Sequence, residues 1–355
     1  QLVDVRAPVG FQTPVGDAGL LTVQATATML EAGAPGQGDD ASARFGSQAL
    51  GGARSAESVS ASGVGLSIGL AGRTLAGDIG VTPLGFPIVN VVGGLKVGGQ
   101  WGTRLGYSGE LSRRAVTDSV LSWAGVRDPR SGQTWGGVTA TGVQGSLSWR
   151  GDDGLQLQAR AGIHLLTGQG VRDNSRIELG AGTRWRSIDE PGRRLDWGLD
   201  LQYAHHAENL RHFTLGHGGY FSPQQSVTLS APIALLGQRA GLRWGLHVAP
   251  GLQAWREDSA PYYPQDGAAQ QQLSNAVALG QATTAVHPGR SSIGLSIAVQ
   301  GAAEYRLGPQ LLLGSRLALD NAADFTQMSG RIYLRVQLDP EAVASPLRMP
   351  GSLLD

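Results

Sequence analysis

The segment Asp196-Trp197-Gly198-Leu199-Asp200-Leu201-Gln202-Tyr203 alternates without a break. One parity holds Trp197, Leu199, Leu201 and Tyr203, and the other Asp196, Gly198, Asp200 and Gln202. A period of two is the signature of a strand with one apolar and one polar face. The pattern recurs in both directions along the chain. Leu157, Ala159, Ala161, Ile163 and Leu165 oppose Gln156, Gln158, Arg160 and His164, and Ile332, Leu334, Val336 and Leu338 oppose Arg331, Tyr333, Arg335 and Gln337. Similar dyads occupy 101–112, 174–186, 241–249 and 293–306. Helix signals are weak, because glycine is spread throughout: 54 of 355 residues, about twice the usual share.

Such a face is compatible with a soluble sandwich or with a membrane barrel, whose apolar side meets lipid and polar side a lumen. Connection lengths separate the two. The alternation predicts about sixteen strands: 2–10, 19–31, 42–50, 58–71, 73–82, 88–99, 101–113, 135–150, 154–168, 173–188, 194–206, 224–236, 239–256, 291–306, 309–320 and 325–338. Turns around Gly72, Gln100, 151–153, 190–192, Gly237-Gln238 and Gly308 are tight and share one end. The long connections 114–134, 207–223 and 257–290 share the other. The stretch 32–41 is an exception, a longish connection on the tight side. This sorting marks a transmembrane antiparallel up-and-down β-barrel, with short periplasmic turns and long extracellular loops. Trp101, Trp149, Trp185, Trp197 and Trp255 fall near predicted strand ends, as an interfacial aromatic girdle requires. The barrel is expected over 1–338. The tail 339–355, with Pro340, Pro346 and Pro350, is expected at the periplasmic mouth or in the lumen.

Charge narrows the function. The chain carries 28 basic and 28 acidic residues, Lys96 being the only lysine, so nucleic acid is not an expected partner. No cysteine is present, which excludes thiol nucleophiles and Cys-based metal sites. No apolar run reaches 18 residues, and the first residues are no signal peptide, as in a mature or excised fragment. The charged residues gather on the polar parity. Facing lipid, each arginine there would cost about 2–4 kcal/mol, so a hydrated lumen is their expected place. The candidate lumen contacts are Arg104, Glu110, Arg160, Arg176, Glu178, Arg184, Asp200, Arg243, Arg316, Tyr333 and Arg335. Abundant glycine would thin the wall and give a bulky solute room.

The long loops mix aromatic rings with hydrogen-bonding groups, which suits carbohydrate or a constriction packed on itself. Trp123, Arg127, Asp128 and Trp135 in the first, and Arg211, His212, Tyr220 and Phe221 in another, are the candidate gate residues. The histidines 205, 206, 212 and 217 have no HExxH context, and no GxSxG occurs, so neither a metal, a cofactor nor catalysis is expected.

Five islands, TPLGFPIVNVVGGL (82–95), SRRAVTDSVLSWAGVRDPRSGQTWGGV (112–138), LTGQGVRDNSRIELGAG (166–182), NLRHFTLGHGGYFSPQQ (209–225) and REDSAPYYPQD (256–266), resemble the C-terminal domain of cellulose synthase operon protein C. The resemblance runs in order over nearly all of 1–340. It implies a sixteen-stranded outer-membrane porin for a nascent β-1,4-glucan, and the chain is expected to be a monomeric conduit, not an enzyme. It also implies a preceding periplasmic repeat region that docks on secretion machinery. It carries over no catalytic residue. It places Asp118, Arg127, Asp128 and Trp135 in the first long loop, Asp173, Asn174, Ser175 and Arg176 at a later strand start, and Arg211, Tyr220 and Phe221 in the third loop. Alternatives are export of another exopolysaccharide, a general diffusion porin or an outer-membrane hydrolase.

Overall fold

The structure is a computed structural model that describes residues 2–33, 44–51, 58–322 and 325–338. Its main sheet has seventeen strands. One of these is the two-residue strand Val126–Arg127, and two are successive segments of a single wall strand, which leaves fifteen strands in the wall. They are β1 (Val3–Val15), β2 (Gly19–Glu31), β3 (Ser60–Ala71), β4 (Leu75–Leu84), β5 (Val91–Trp101), β6 (Leu105–Ala115), β7 (Thr134–Arg150) and β8 (Leu155–Gln169). After these come β9 (Val171–Glu190), β10 (Arg193–His206), β11 (Gln225–Ser230 and Ile233–Arg239), β12 (Leu242–Glu257), β13 (Arg290–Arg306), β14 (Leu311–Ala322) and β15 (Phe325–Val336). Each pairs antiparallel with its sequence neighbour, which is an up-and-down barrel wall. Among the described residues no pairing joins β1 to β15, and an odd count makes these two point the same way.

Of the segment 42–50, expected as a strand, the described part from residue 44 belongs instead to a loop. Phe45–Gly46 pairs in parallel with Phe213–Thr214, and a 3-10 turn follows over Gln48–Leu50. Gly46 has φ +58°, a left-handed conformation that interrupts a wall strand. The exception at 32–41 thereby disappears, since β2 ends and β3 begins at the long-loop end. All the connections at the opposite end are short: 16–18, 72–74, 102–104, 151–154, 191–192, 240–241 and 307–310. The hairpin expected at Gly237-Gln238 turns at Ala240-Gly241, where both residues have positive φ. β11 is interrupted at Ala231-Pro232, because proline brings no N–H to the ladder. The tail 339–355 lies outside the described residues.

The burial pattern is inside out. Val23, Ile79, Leu95, Leu199, Leu252, Leu295 and Ile332 stand exposed on the outer parity of their strands. Only a lipid-facing band gives such a surface its solvent. The rings at the short-turn end face the same way. Trp101 lies 5.3 Å from Tyr107, Trp185 stacks on Trp197 at 4.8 Å, and Trp149 is exposed beside them, forming one aromatic girdle. Trp255 does not join it. Its parity on β12 points inward, where it is buried edge-on against Phe221.

Many glycines serve a purpose that composition did not show. Tyr107 lies directly across from Gly99, Trp244 from Gly237, Tyr333 from Gly314 and Arg160 from Gly180. A Cβ on any of these glycines would overlap the opposing side chain. Each glycine is a seat on which a large neighbour lies flat against the wall, the cross-strand arrangement that compensates glycine in sheets.

Candidate functional site: a polar bore under a loop cap

Register fixes which side chains enter the bore, and they are tied to one another across strands. On β9 and β10, Arg184 holds Asp200 in a two-pronged pair at 2.7 and 2.6 Å, and Gln158 of β8 donates to the same carboxylate at 3.3 Å. Arg176 lies 3.2 Å from Glu178, which also approaches His164 at 3.6 Å. On β6, Glu110 accepts from Gln144 at 2.9 Å and lies 3.9 Å from Arg114, which grips Asp78. On the last strands Tyr333 donates its hydroxyl to Glu304 at 2.9 Å, and Arg335 reaches the same carboxylate at 3.5 Å. Arg316 donates to Gln300 at 2.9 Å, with the amide oriented oxygen-first. Arg243 faces inward opposite Glu304. Arg160 lies on Gly180 at the edge of a cleft of about 330 Å³ that Gln144, Glu178, Gln202, Ser226, Thr228 and Gln253 also line. Arg104 belongs to the rim rather than the bore: it sits in the 102–104 turn and pairs with Asp152 of the adjacent turn at 2.6 Å.

At the far end the long loops pack into a cap. Loop residues build an apolar core there, with Phe45, Phe86, Trp123, Trp135, Leu210 and Tyr220 all buried. Its first helix, α1 (Val120–Ala124), starts with a reciprocal capping box between Ser119 and Ser122 and is buried along its length. Trp123 meets Phe86 edge-on at 5.7 Å, and the Arg6 guanidinium of β1 lies 4.3 Å above its ring. Trp135, fully buried, meets Phe45 at 5.6 Å. Tyr220 is pinned by the amide of Asn174 at 3.1 Å, and that amide also donates to the Glu208 carbonyl and accepts from its N–H. Burial raises the Tyr220 phenol above its ordinary range. Arg211 reaches Glu257 at 3.2 Å and lies over Phe221, whose N–H donates to Asp118. Arg127 stays exposed and donates to the Gly132 carbonyl at 3.1 Å.

Two further features tie the loops together. Asp128, 1% exposed, accepts four hydrogen bonds: from Ser47 N–H at 3.0 Å, Ser47 Oγ at 2.6 Å, Ser131 N–H at 2.8 Å and Ser131 Oγ at 2.5 Å. Burial opposes its ionisation, but these donors outweigh it and hold the carboxyl below the usual range. Nearby, His212 stacks on His287 at 3.7 Å, Tyr262 stacks on the other face of His287 at 4.0 Å, and His217 meets both histidines edge-on. Burial lowers all three, His217 to about 4, His287 to about 3 and His212 to about 2, so they are neutral. Helix α2 (Gly267–Ala278), started by Asp266, packs Leu273 against Tyr262 and Tyr263 over this stack. Among the described residues no group of histidines and carboxylates could hold a metal ion. His205 and His206 lie on β10, apart from the stack.

Sequence reading brought together Trp123, Trp135, Tyr220 and Asp128, but missed Ser47, Asn174's role, Glu257, Tyr262 and His287. Only proximity in three dimensions marks those; the alternation within 42–50 pointed the wrong way.

Fold and site together define a transmembrane β-barrel with a polar bore and, at one end, a packed cap of its own loops. The chain belongs to the family whose model is described as "Cellulose synthase operon protein C C-terminus", which matches residues 1–339. It is 38% identical over 303 residues to cellulose synthase operon protein C of Xanthomonas axonopodis pv. citri, covering 80% of this chain and 20% of that protein. It is 35% identical over 356 residues to the protein of that name from Pseudomonas fluorescens, covering 99% and 26%. With cellulose synthase 2 operon protein C of Komagataeibacter xylinus the identity is 35%, covering 90% and 24%. The chain thus spans about a quarter or less of these relatives. A solved structure titled "Bacterial polysaccharide outer membrane secretin" has a similar fold, with TM-score 0.52 at 10% identity, over 93% of this chain and 88% of that one.

Proposed function

We propose that the chain is the outer-membrane conduit of a polysaccharide secretion system, and that its cargo is a β-1,4-glucan. The observation that carries this is the hydrogen-bonding bore beneath the cap. Gln144, Gln202, Ser226, Thr228 and Gln253 line one cleft with Arg160 and Glu178. Amides and hydroxyls of this kind match sugar hydroxyls and release them readily, as a pore must. The short-turn end is then periplasmic and receives the polymer, while the cap covers the extracellular mouth. A cap of packed loops at the mouth does not suit a general diffusion porin. The bore offers contacts rather than chemistry: among the described residues its carboxylates other than Asp320 are engaged with arginines, and the three stacked histidines of the cap face one another. The barrel acts as a monomer, and the rest of the longer protein lies on the periplasmic side, where secretion partners would meet it.

The test fills the bore. In the full-length protein, Ser226→Trp with Thr228→Trp places two rings in the cleft. Glucan export is expected to fall at least tenfold, while heat-modifiable gel mobility, which reports a folded barrel, is retained. Undiminished export by a folded double variant would refute the conduit.

A further inference from the structure

The charges of the bore do not cancel. Asp78, Glu110, Glu178, Asp196, Asp200 and Glu304 all point inward, and each has an arginine within ion-pair distance. Among the described residues Asp320, near the loop end of β14, is the inward carboxylate without an ion pair. Inward cations are left over. Lys96, Arg150, Arg160, Arg243 and Arg306 share the inward parity of their strands, and among the described residues none makes an ion pair. Arg150, Arg243 and Arg306 stand at the short-turn mouth, at the last or second residue of β7, β12 and β13. Lys96 and Arg160 lie five residues inside the ends of β5 and β8, about 17 Å deeper. The chain as a whole is neutral, so this positive bore is a matter of placement and not of composition.

A neutral glucan gains nothing from such a field. It needs hydroxyl partners, and the amides and serines supply them. Free cations in a narrow bore flanked by lipid concentrate anions and draw them inward from the mouth. A guanidinium fork without a carboxylate partner is free to take a carboxylate or phosphate oxygen pair. We infer that the exported glucan carries anionic substituents, and that Arg150, Arg243 and Arg306 collect them at the mouth while Arg160 and Lys96 receive them deeper in. This inference rests on the reading of the barrel as a polysaccharide conduit, and concerns which polysaccharide it takes.

The probes are three β-1,4-linked glucose hexamers: unsubstituted, carboxylated at C6 and phosphorylated at C6. Calorimetric titration of the full-length protein in detergent, at about 50 mM and 300 mM salt, compares them. At low salt an anionic hexamer is expected to bind at least tenfold more tightly than the neutral one, and the gap should shrink severalfold at high salt. Whichever anionic hexamer binds more tightly identifies the substituent. In R150Q/R306Q the preference should fall to within about twofold, with R243Q as a second variant should the first not fold by heat-modifiable mobility. Equal affinities for all three hexamers, or a preference that survives both variants, would overturn the inference and leave the conduit standing. Binding of none of them would overturn the inference and the conduit together.

Discussion

Asp128 offers a quantitative test of how the cap is held. Its carboxylate joins two loops by accepting two bonds from Ser47 and two from Ser131, in a site with almost no solvent. Asp128→Asn keeps the size but removes the charge and turns one acceptor into a donor that faces serine donors. Two charge-assisted bonds are lost at the least. Each is worth about 1.5–3 kcal/mol, and neighbouring losses are not additive, so about 2–4 kcal/mol of cap stability is at stake. At 1.4 kcal/mol per decade, amide protection in 44–51 and 126–135 should fall roughly 30- to 700-fold. Hydrogen exchange read by mass spectrometry on the detergent-solubilised protein measures this peptide by peptide. β8 and β9 peptides in the membrane band serve as the internal control and should not change. Unaltered protection of 44–51 in Asp128→Asn would refute the assignment of Asp128 as the latch.

Other perturbations probe the remaining layers. The three histidines of the cap are held neutral well below their ordinary value of 6.5, with Arg44, Arg211 and Arg290 adding to the cost of charging them. Their contribution is therefore complete above pH 6.5 and is lost as pH falls from 6.5 toward about 4, at up to about 1.4 kcal/mol per pH unit for each group. Exchange of 210–217 and 285–289 should quicken across that window, and a flat profile would count against the stack as a clasp. Leu199→Arg puts a charge on the outer face midway along β10 and should cost about 2–4 kcal/mol, read as a lower urea midpoint in lipid vesicles. A neutral result there would deny the lipid-facing assignment of that parity. Gly314→Ala should displace the Tyr333 ring and destabilise the wall by about 1–3 kcal/mol. Tyr333→Ser in the same chain should recover most of that, and additive losses in the double-mutant cycle would contradict the seat.

The strands were legible because their signal is local: each residue from Asp196 to Tyr203 declares its face by identity alone. Loop sorting was legible too, and it gave the barrel. The errors share one cause, which is that parity says nothing about where a short segment ends in space. The stretch around Phe45 contains enough alternation for a strand, yet Gly46 in a left-handed conformation sends it into the cap. Trp255 sits near a strand end, where a girdle ring is expected, but its parity on β12 points to Phe221. The cap's own logic was the least visible. Ser47 and Asp128, or His212 and His287, are joined by contacts between loops far apart in sequence, and no spacing rule predicts such pairs.

The glycine seats bear on how this sequence can change. Gly99, Gly237 and Gly314 are not independent of Tyr107, Trp244 and Tyr333: each pair occupies a single volume, divided between two strands by the register. A mutation that enlarges one member is tolerated only after its opposite has shrunk, so the pair must pass through a cavity before it can exchange roles. The order of such steps is therefore fixed by sterics, small first and large second. Among descendants of one ancestor, bulk should migrate from one strand to the next across the ladder while the summed volume of the two positions stays nearly constant.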